Sequence, residues 1–98
     1  MADDLFLNMI GMFLDSDNYA ERLVKNDKIG DYTIDTCYTS DYGYETAINK
    51  FDGLWVVVER YANKEESKEG HEKWCKWCSD NPDATSVYSV QTDYFEEF

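Results

Sequence analysis

The chain has few basic residues, a single proline and an odd number of cysteines, and each of these features argues against a class of protein. It has 9 basic residues against 21 acidic ones, so its net charge is −12 over 98 residues. Binding to a nucleic-acid backbone or an anionic membrane needs Lys and Arg, so we expect neither direct nucleic-acid binding nor membrane binding. A basic protein partner fits the charge better. With one proline and no repeat, nothing divides residues 1–98, and we expect a single small acidic domain.

A long hydrophobic run is also missing. The apolar stretch from Leu5 to Leu14 has ten residues, too few for a membrane-spanning helix, and two aspartates precede it where a secretion signal carries positive charge. The three cysteines, Cys37, Cys75 and Cys78, are an odd number and make a poor disulfide framework. We therefore expect reduced thiols in a cytoplasmic protein.

The residues that are present predict a folded protein, since 43% are hydrophobic and 16% aromatic, and the order of its helices and strands predicts the α+β class. Helical spacing predicts a first helix from Leu5 to Leu14 and a second helix that carries Tyr19, Ala20, Leu23 and Val24. Between Lys64 and Cys78, an amphipathic pattern with a capping residue at Asn63 predicts the last helix.

Alternation with a period of two predicts four strands. The first is marked by Tyr32, Ile34, Thr36 and Tyr38, the second runs from Tyr44 to Lys50, the third from Leu54 to Tyr61, and the fourth is marked by Tyr88, Val90, Thr92 and Tyr94. A turn at Phe51-Asp52-Gly53 should use positive φ at the glycine. The third strand is apolar on both faces, which favours a central position. The predicted order is α-α-β-β-β-α-β, with an antiparallel four-stranded sheet packed with helices.

Two motifs carry a resemblance to a known family. The strand Trp55-Val56-Val57-Val58-Glu59, followed by a helix with Gly70-His71-Glu72-Lys73-Trp74, resembles a family of small uncharacterised proteins encoded by bacteriophages and prophages. The similarity runs from Tyr32 to about Trp77, roughly half of the chain. It implies a phage origin, and hence residence in the cytoplasm of an infected bacterial host, but no activity.

Four residues form a candidate zinc set: Cys37, His71, Cys75 and Cys78. Three of them share one face of the last helix, and Cys3His is a known zinc-binding combination. Buried cysteines on an amphipathic helix are also ordinary core, so we expect no metal and no cofactor. No serine elbow, glycine-rich phosphate loop or partner for His71 is specified by spacing, and we do not expect an enzyme.

Acidic residues are unevenly distributed along the chain. Residues 1–49 hold ten acids and three bases, residues 50–76 six of each, and residues 77–98 five acids and no base. Acids interleaved with tyrosines on a strand can imitate the phosphates and bases of a nucleic acid. The candidate partner-binding residues are Asp31, Asp35, Asp41, Tyr42, Tyr44, Glu45, Asp93, Tyr94, Glu96 and Glu97. The simpler interpretation is that the acids confer solubility and the tyrosines fill a sheet.

Together these features favour a phage counter-defence protein of the anti-CRISPR kind. It would bind and occlude a basic, nucleic-acid-handling surface of a host effector such as a CRISPR nuclease, as a nucleic-acid mimic. The alternative is a phage structural or assembly protein, or a homo-oligomer, in which the helix from Leu5 to Leu14 packs against a neighbouring chain.

Overall fold

The computed structural model describes residues 19–98, and the predicted helix from Leu5 to Leu14 lies outside them. The elements in chain order are α1 (Tyr19–Arg22), β1 (Leu23–Ile29), β2 (Tyr32–Thr39), β3 (Gly43–Lys50), β4 (Val56–Tyr61), α2 (Lys64–Asp80), β5 (Ser86–Ser89) and β6 (Tyr94–Glu97). Strands β1 to β4 form an antiparallel sheet in chain order, and β5 and β6 form a separate hairpin. The predicted α+β class with a four-stranded antiparallel sheet is confirmed.

Tight turns join the four strands of the sheet. Gly30 and Gly43 take positive φ values of 59° and 74°, which suits residues without a Cβ. In the turn after β3, Phe51 and Asp52 take positive φ, and the Gly53 N–H donates to the Lys50 carbonyl at 3.0 Å. The expectation of positive φ at Gly53 is wrong, because two consecutive left-handed residues before it already close the turn.

Helix α2 packs against one face of the sheet. It begins at Asn63, whose side chain accepts the Glu66 backbone N–H, as the capping pattern predicted. Gly70 lies against Tyr61, and a Cβ at that position would come within 2.2 Å of the tyrosine ring and hydroxyl. This close approach is the physical reason for a glycine in the middle of the helix. Beneath α2, the core contains Ile34, Ile48 and Val58.

The four strands of the sheet are not the four that the sequence predicted. The segment predicted to continue as a second helix forms a single turn, α1, and then β1, because residues 23–29 pair along the edge of β2. The predicted last strand is the β5–β6 hairpin. It turns at Asp93, whose φ is 65°, and the Ser89 hydroxyl accepts the backbone N–H groups of Gln91 and Thr92.

Strand β4 lies at one edge of the sheet, so the predicted central position is wrong. Both of its faces are nevertheless covered: Val56 and Val58 join the core under α2, and Val57 packs with Cys37 and Ala47 on the other face. The hairpin turn closes part of its free edge, since the Val90 N–H donates to the Val57 carbonyl at 2.9 Å. This cover explains an edge strand that is apolar on both faces.

A buried lysine holds the loop before the hairpin. The Lys50 Nζ donates to the carbonyls of Pro82 and Ala84 at 2.8 and 2.6 Å and lies 4.9 Å from the centre of the Tyr32 ring. The C-terminal Phe98 packs edge-on against the same ring. These contacts fix the base of the hairpin on the sheet. Across residues 19–98, no helix has the length and apolar character needed to span a bilayer.

Candidate functional site

The β5–β6 hairpin, residues 86–97, presents aromatic and acidic side chains together, and we call it the acidic hairpin. Tyr94 and Phe95 are 72% and 73% exposed. Local bonds order the side chains: the Tyr88 hydroxyl donates to Asp93, and the Thr92 hydroxyl donates to Glu96 at 2.7 Å. An acidic and aromatic surface is therefore built on a short but hydrogen-bonded element.

None of the acids of the acidic hairpin forms an ion pair with a basic residue among those that the structure describes. The ion pairs of the described residues connect residues between Lys25 and Asp80, and none includes Asp93, Glu96 or Glu97. By contrast, Glu59 and Glu45 each have a basic partner, Lys73 and Arg60. The acidic hairpin therefore carries a local negative potential.

The other exposed candidate residues lie at opposite ends of β2. Asp31 is in the turn before this strand, and Asp41 and Tyr42 are in the turn after it. The guanidinium of Arg60 lies 4.2 Å from the centre of the Tyr42 ring, and Tyr44 packs edge-on against Tyr38. The structure thus separates acidic residues and tyrosines that were predicted to lie in one row along a strand.

Asp35 and Glu45, two of the predicted charge contacts, are buried and offer no surface to a partner. They lie on the sheet face opposite α2, where the Asp35 carboxylate accepts hydrogen bonds from Tyr19 and Asn26. The Arg60 Nε donates to Glu45 at 2.6 Å. Burial raises the pKa of both carboxyls, and these hydrogen bonds oppose the rise. The predicted acidic row is wrong at these two positions because both faces of the sheet are covered.

Helix α2 is joined to the sheet by a chain of hydrogen bonds, which we call the His71 network. The His71 Nε2 lies 2.8 Å from Asp27 Oδ2, and its Nδ1 lies 2.7 Å from the Thr36 hydroxyl. Thr36 continues to Thr46 at 2.5 Å, and the Tyr61 hydroxyl donates to Thr46 at 2.9 Å. If the hydroxyls of Tyr61, Thr46 and Thr36 each donate towards the imidazole, Nδ1 accepts the last of these hydrogen bonds and the ring proton is on Nε2. Every hydroxyl proton of the His71 network then takes part in a hydrogen bond.

The His71 network has the connectivity of a hydroxyl, a base and an acid, which is the arrangement of a catalytic triad. Both Thr36 and His71 are fully buried, however, and the Thr36 hydroxyl is already bonded to Thr46. A nucleophile needs a path to its substrate. In this conformation the network secures a helix to a sheet and gives no substrate access to the threonine.

The structure does not assemble the four-residue zinc set. Cys37 lies on the opposite face of β2 from Thr36 and His71, as a period of two requires. Cys78 is buried in the core under α2, and burial raises the pKa of its thiol to about 12. Cys75 alone approaches His71, together with Asp27, which sequence reasoning missed. Residues 23–29 were expected to continue a helix, so strand β1, which places Asp27 beside α2, was not predicted.

Comparison with known proteins supplies no relative. The chain matches no family model, no curated protein and no solved structure at a significant level. The function therefore has to be inferred from the described residues, and the acidic hairpin is the surface on which half of the exposed candidate residues lie.

Proposed function

We propose that this chain is a phage-encoded counter-defence protein that binds a basic, nucleic-acid-handling surface of a host effector and occludes it. One observation carries the proposal: the acidic hairpin exposes two aromatic rings, Tyr94 and Phe95, and its three carboxylates have no basic partner among the described residues. The phage origin comes from the sequence resemblance alone. Asp93, Glu96 and Glu97 are the charge contacts, and Tyr94 is an aromatic anchor.

The chemistry of the acidic hairpin matches what such a partner surface recognises. A groove that binds single-stranded nucleic acid pairs Lys and Arg with phosphates and stacks aromatic side chains on bases. The carboxylates of the hairpin can take the place of the phosphates, and the exposed rings of Tyr94 and Phe95 can take the place of the bases. Aromatic anchors usually provide much of the binding energy of an interface, whereas charges chiefly set the association rate.

The local order of the acidic hairpin also favours binding. Tyr88 packs edge-on against Phe95 with ring centres 5.5 Å apart, and its hydroxyl bonds to Asp93. Lys50 and Phe98 fix the base of the hairpin on the sheet. A surface that is already ordered loses less conformational entropy when a partner binds.

A binding experiment with a purified CRISPR effector nuclease and its guide RNA tests this proposal. The triple variant Asp93→Asn, Glu96→Gln, Glu97→Gln removes three charges while keeping the side-chain shapes. We expect wild-type binding that weakens steeply with salt and competes with target DNA, and a loss of at least about tenfold in affinity in the triple variant.

The matched control removes three charges from α2 instead, as Glu65→Gln, Glu69→Gln and Asp80→Asn, all at exposed positions. We expect it to bind like the wild type. Equal weakening in both variants would show a net-charge effect with no role for the acidic hairpin. Absence of wild-type binding across a panel of such nucleases would overturn the proposed function.

A further inference from the structure

Three potential metal ligands converge where α2 crosses β1. They are the Asp27 carboxylate, the His71 imidazole and the Cys75 thiol, and their ligand atoms all lie within 4.8 Å of one another. The Cys75 Sγ is 3.9 Å from Asp27 Oδ2, and the His71 Nε2 is 2.8 Å from the same oxygen. Among residues 19–98, no other group of three such side chains meets this closely.

These distances suit a small tetrahedral ion after little movement. Zinc binds nitrogen and oxygen at about 2.1 Å and thiolate sulfur at about 2.3 Å, so neighbouring ligands lie about 3.5 Å apart. His71 and Cys75 are four residues apart on α2 and therefore share one face of the helix, the spacing at which helices present pairs of zinc ligands. Asp27 faces them from β1.

The His71 network already supplies the outer support that a metal-binding histidine needs. Such a histidine binds with one ring nitrogen while the other donates to a fixed acceptor. Here Nε2 faces Asp27 and Cys75, and Nδ1 lies 2.7 Å from the Thr36 hydroxyl, which Thr46 holds in turn. With the ring proton on Nδ1, Thr36 becomes its acceptor and Nε2 is free for the ion.

The charges around the cluster also suit a divalent cation. Asp27, Glu72 and a Cys75 thiolate give three negative charges, and Lys25, which contacts Asp27 and Glu72, gives one positive charge. The Lys25 side chain is about half exposed and can turn towards solvent. Cys75 and Asp27 are themselves partly exposed, so an ion can reach the cluster.

We propose that Asp27, His71 and Cys75 form a three-ligand zinc site with water in the fourth position. Binding one zinc ion releases the Cys75 thiol proton to solvent and moves the His71 ring proton from Nε2 to Nδ1, where the Thr36 hydroxyl accepts its hydrogen bond. The hydrogen bond between His71 and Asp27 is then replaced by three bonds to the metal, from Nε2, the Asp27 carboxylate and the Cys75 thiolate. The site ties β1 to α2. It differs from the Cys3His set of the sequence analysis and is independent of the acidic hairpin.

Metal titration of the purified 98-residue chain tests the site. We expect one equivalent of zinc to bind and to raise the melting temperature. Cobalt in its place should give the thiolate charge-transfer band and the visible bands of a tetrahedral ion. Cys75→Ala and Asp27→Asn should each weaken binding by at least about tenfold, and Cys75→Ala should abolish the charge-transfer band.

Cys78→Ala is the matched control, because it removes another thiol one helical turn away, in the core under α2. Circular dichroism verifies that each variant is folded. This control should bind metal like the wild type. The proposal is overturned if the wild type binds no stoichiometric metal, if Cys75→Ala keeps the cobalt band, or if Cys78→Ala loses it as Cys75→Ala does.

Discussion

The His71 network and the acidic hairpin use polar side chains in opposite ways. In the network, buried and partly buried polar groups satisfy one another across α2, β1, β2, β3 and β4. In the hairpin, the exposed Asp93 and the half-exposed Glu96 bond only to neighbouring hydroxyls of the hairpin itself. A buried group without a partner destabilises a fold, whereas an exposed one costs little and remains available for binding. The first region should therefore determine stability and the second binding.

Removal of the His71 side chain should have the largest effect on stability. His71→Ala leaves a cavity. It also removes one hydrogen-bond partner from the Thr36 hydroxyl and one from the Asp27 carboxylate. We expect a loss of about 3 kcal/mol in the free energy of unfolding, measured by urea denaturation in the presence of a chelator.

Glu69→Ala provides the control on the exposed side of the same helix and should change stability by less than about 0.5 kcal/mol. If the two variants unfolded at the same urea concentration, the His71 network would contribute no more than a surface residue. The contrast between the two regions would then disappear.

A smaller effect, dependent on pH, is expected from Asp35→Asn. Burial raises the pKa of Asp35 in the folded state, so the folded protein binds this proton more tightly than the unfolded chain and the carboxylate lowers stability at neutral pH. Acidification through the raised pKa removes that penalty from the wild type but cannot affect the asparagine variant. The stability of the variant relative to the wild type should therefore fall as the pH is lowered.

Urea unfolding at several pH values measures this difference. Asp31→Asn, at an exposed position just before the same strand, gives the baseline for losing one exposed carboxylate. A difference between Asp35→Asn and the wild type that stays constant across the acidic range would contradict the assigned burial cost.

The fold class and the last helix could be predicted from sequence because their signals are local. Asn63 and the apolar face of α2 specify a helix whatever the rest of the chain does. Strand β1 could not be predicted, since Leu23 and Val24 fit a helical face and only pairing with β2 decides between the two structures. The exposure of Asp35 depends equally on tertiary contacts, as an alternating pattern does not show that both sheet faces are covered.

The same limit applies to the two candidate sites. Asp93, Tyr94, Glu96 and Glu97 could be predicted as one group because they are neighbours in sequence and the segment has no base. Asp27 could not be joined to His71 and Cys75, which are more than forty residues away. A site within one hairpin can be predicted from sequence because its residues are neighbours in the chain. A site between a strand and a distant helix can be predicted only when the register of the sheet is known.

The smallest effect on stability should come from the acidic hairpin. In Asp93→Asn, Glu96→Gln, Glu97→Gln, the amide oxygens still accept the bonds from Tyr88 and Thr92, and asparagine tolerates the φ of 65° at position 93. We expect the free energy of unfolding in urea to differ from that of the wild type by less than about 0.5 kcal/mol.

The control Asp93→Ala should instead lower the free energy of unfolding by about 1 kcal/mol, because alanine has no side-chain oxygen and disfavours positive φ. This loss verifies that the assay detects damage to the hairpin. A triple variant as unstable as His71→Ala would mean that the carboxylates hold the fold together, and loss of binding in that variant would then report unfolding instead of a lost contact surface.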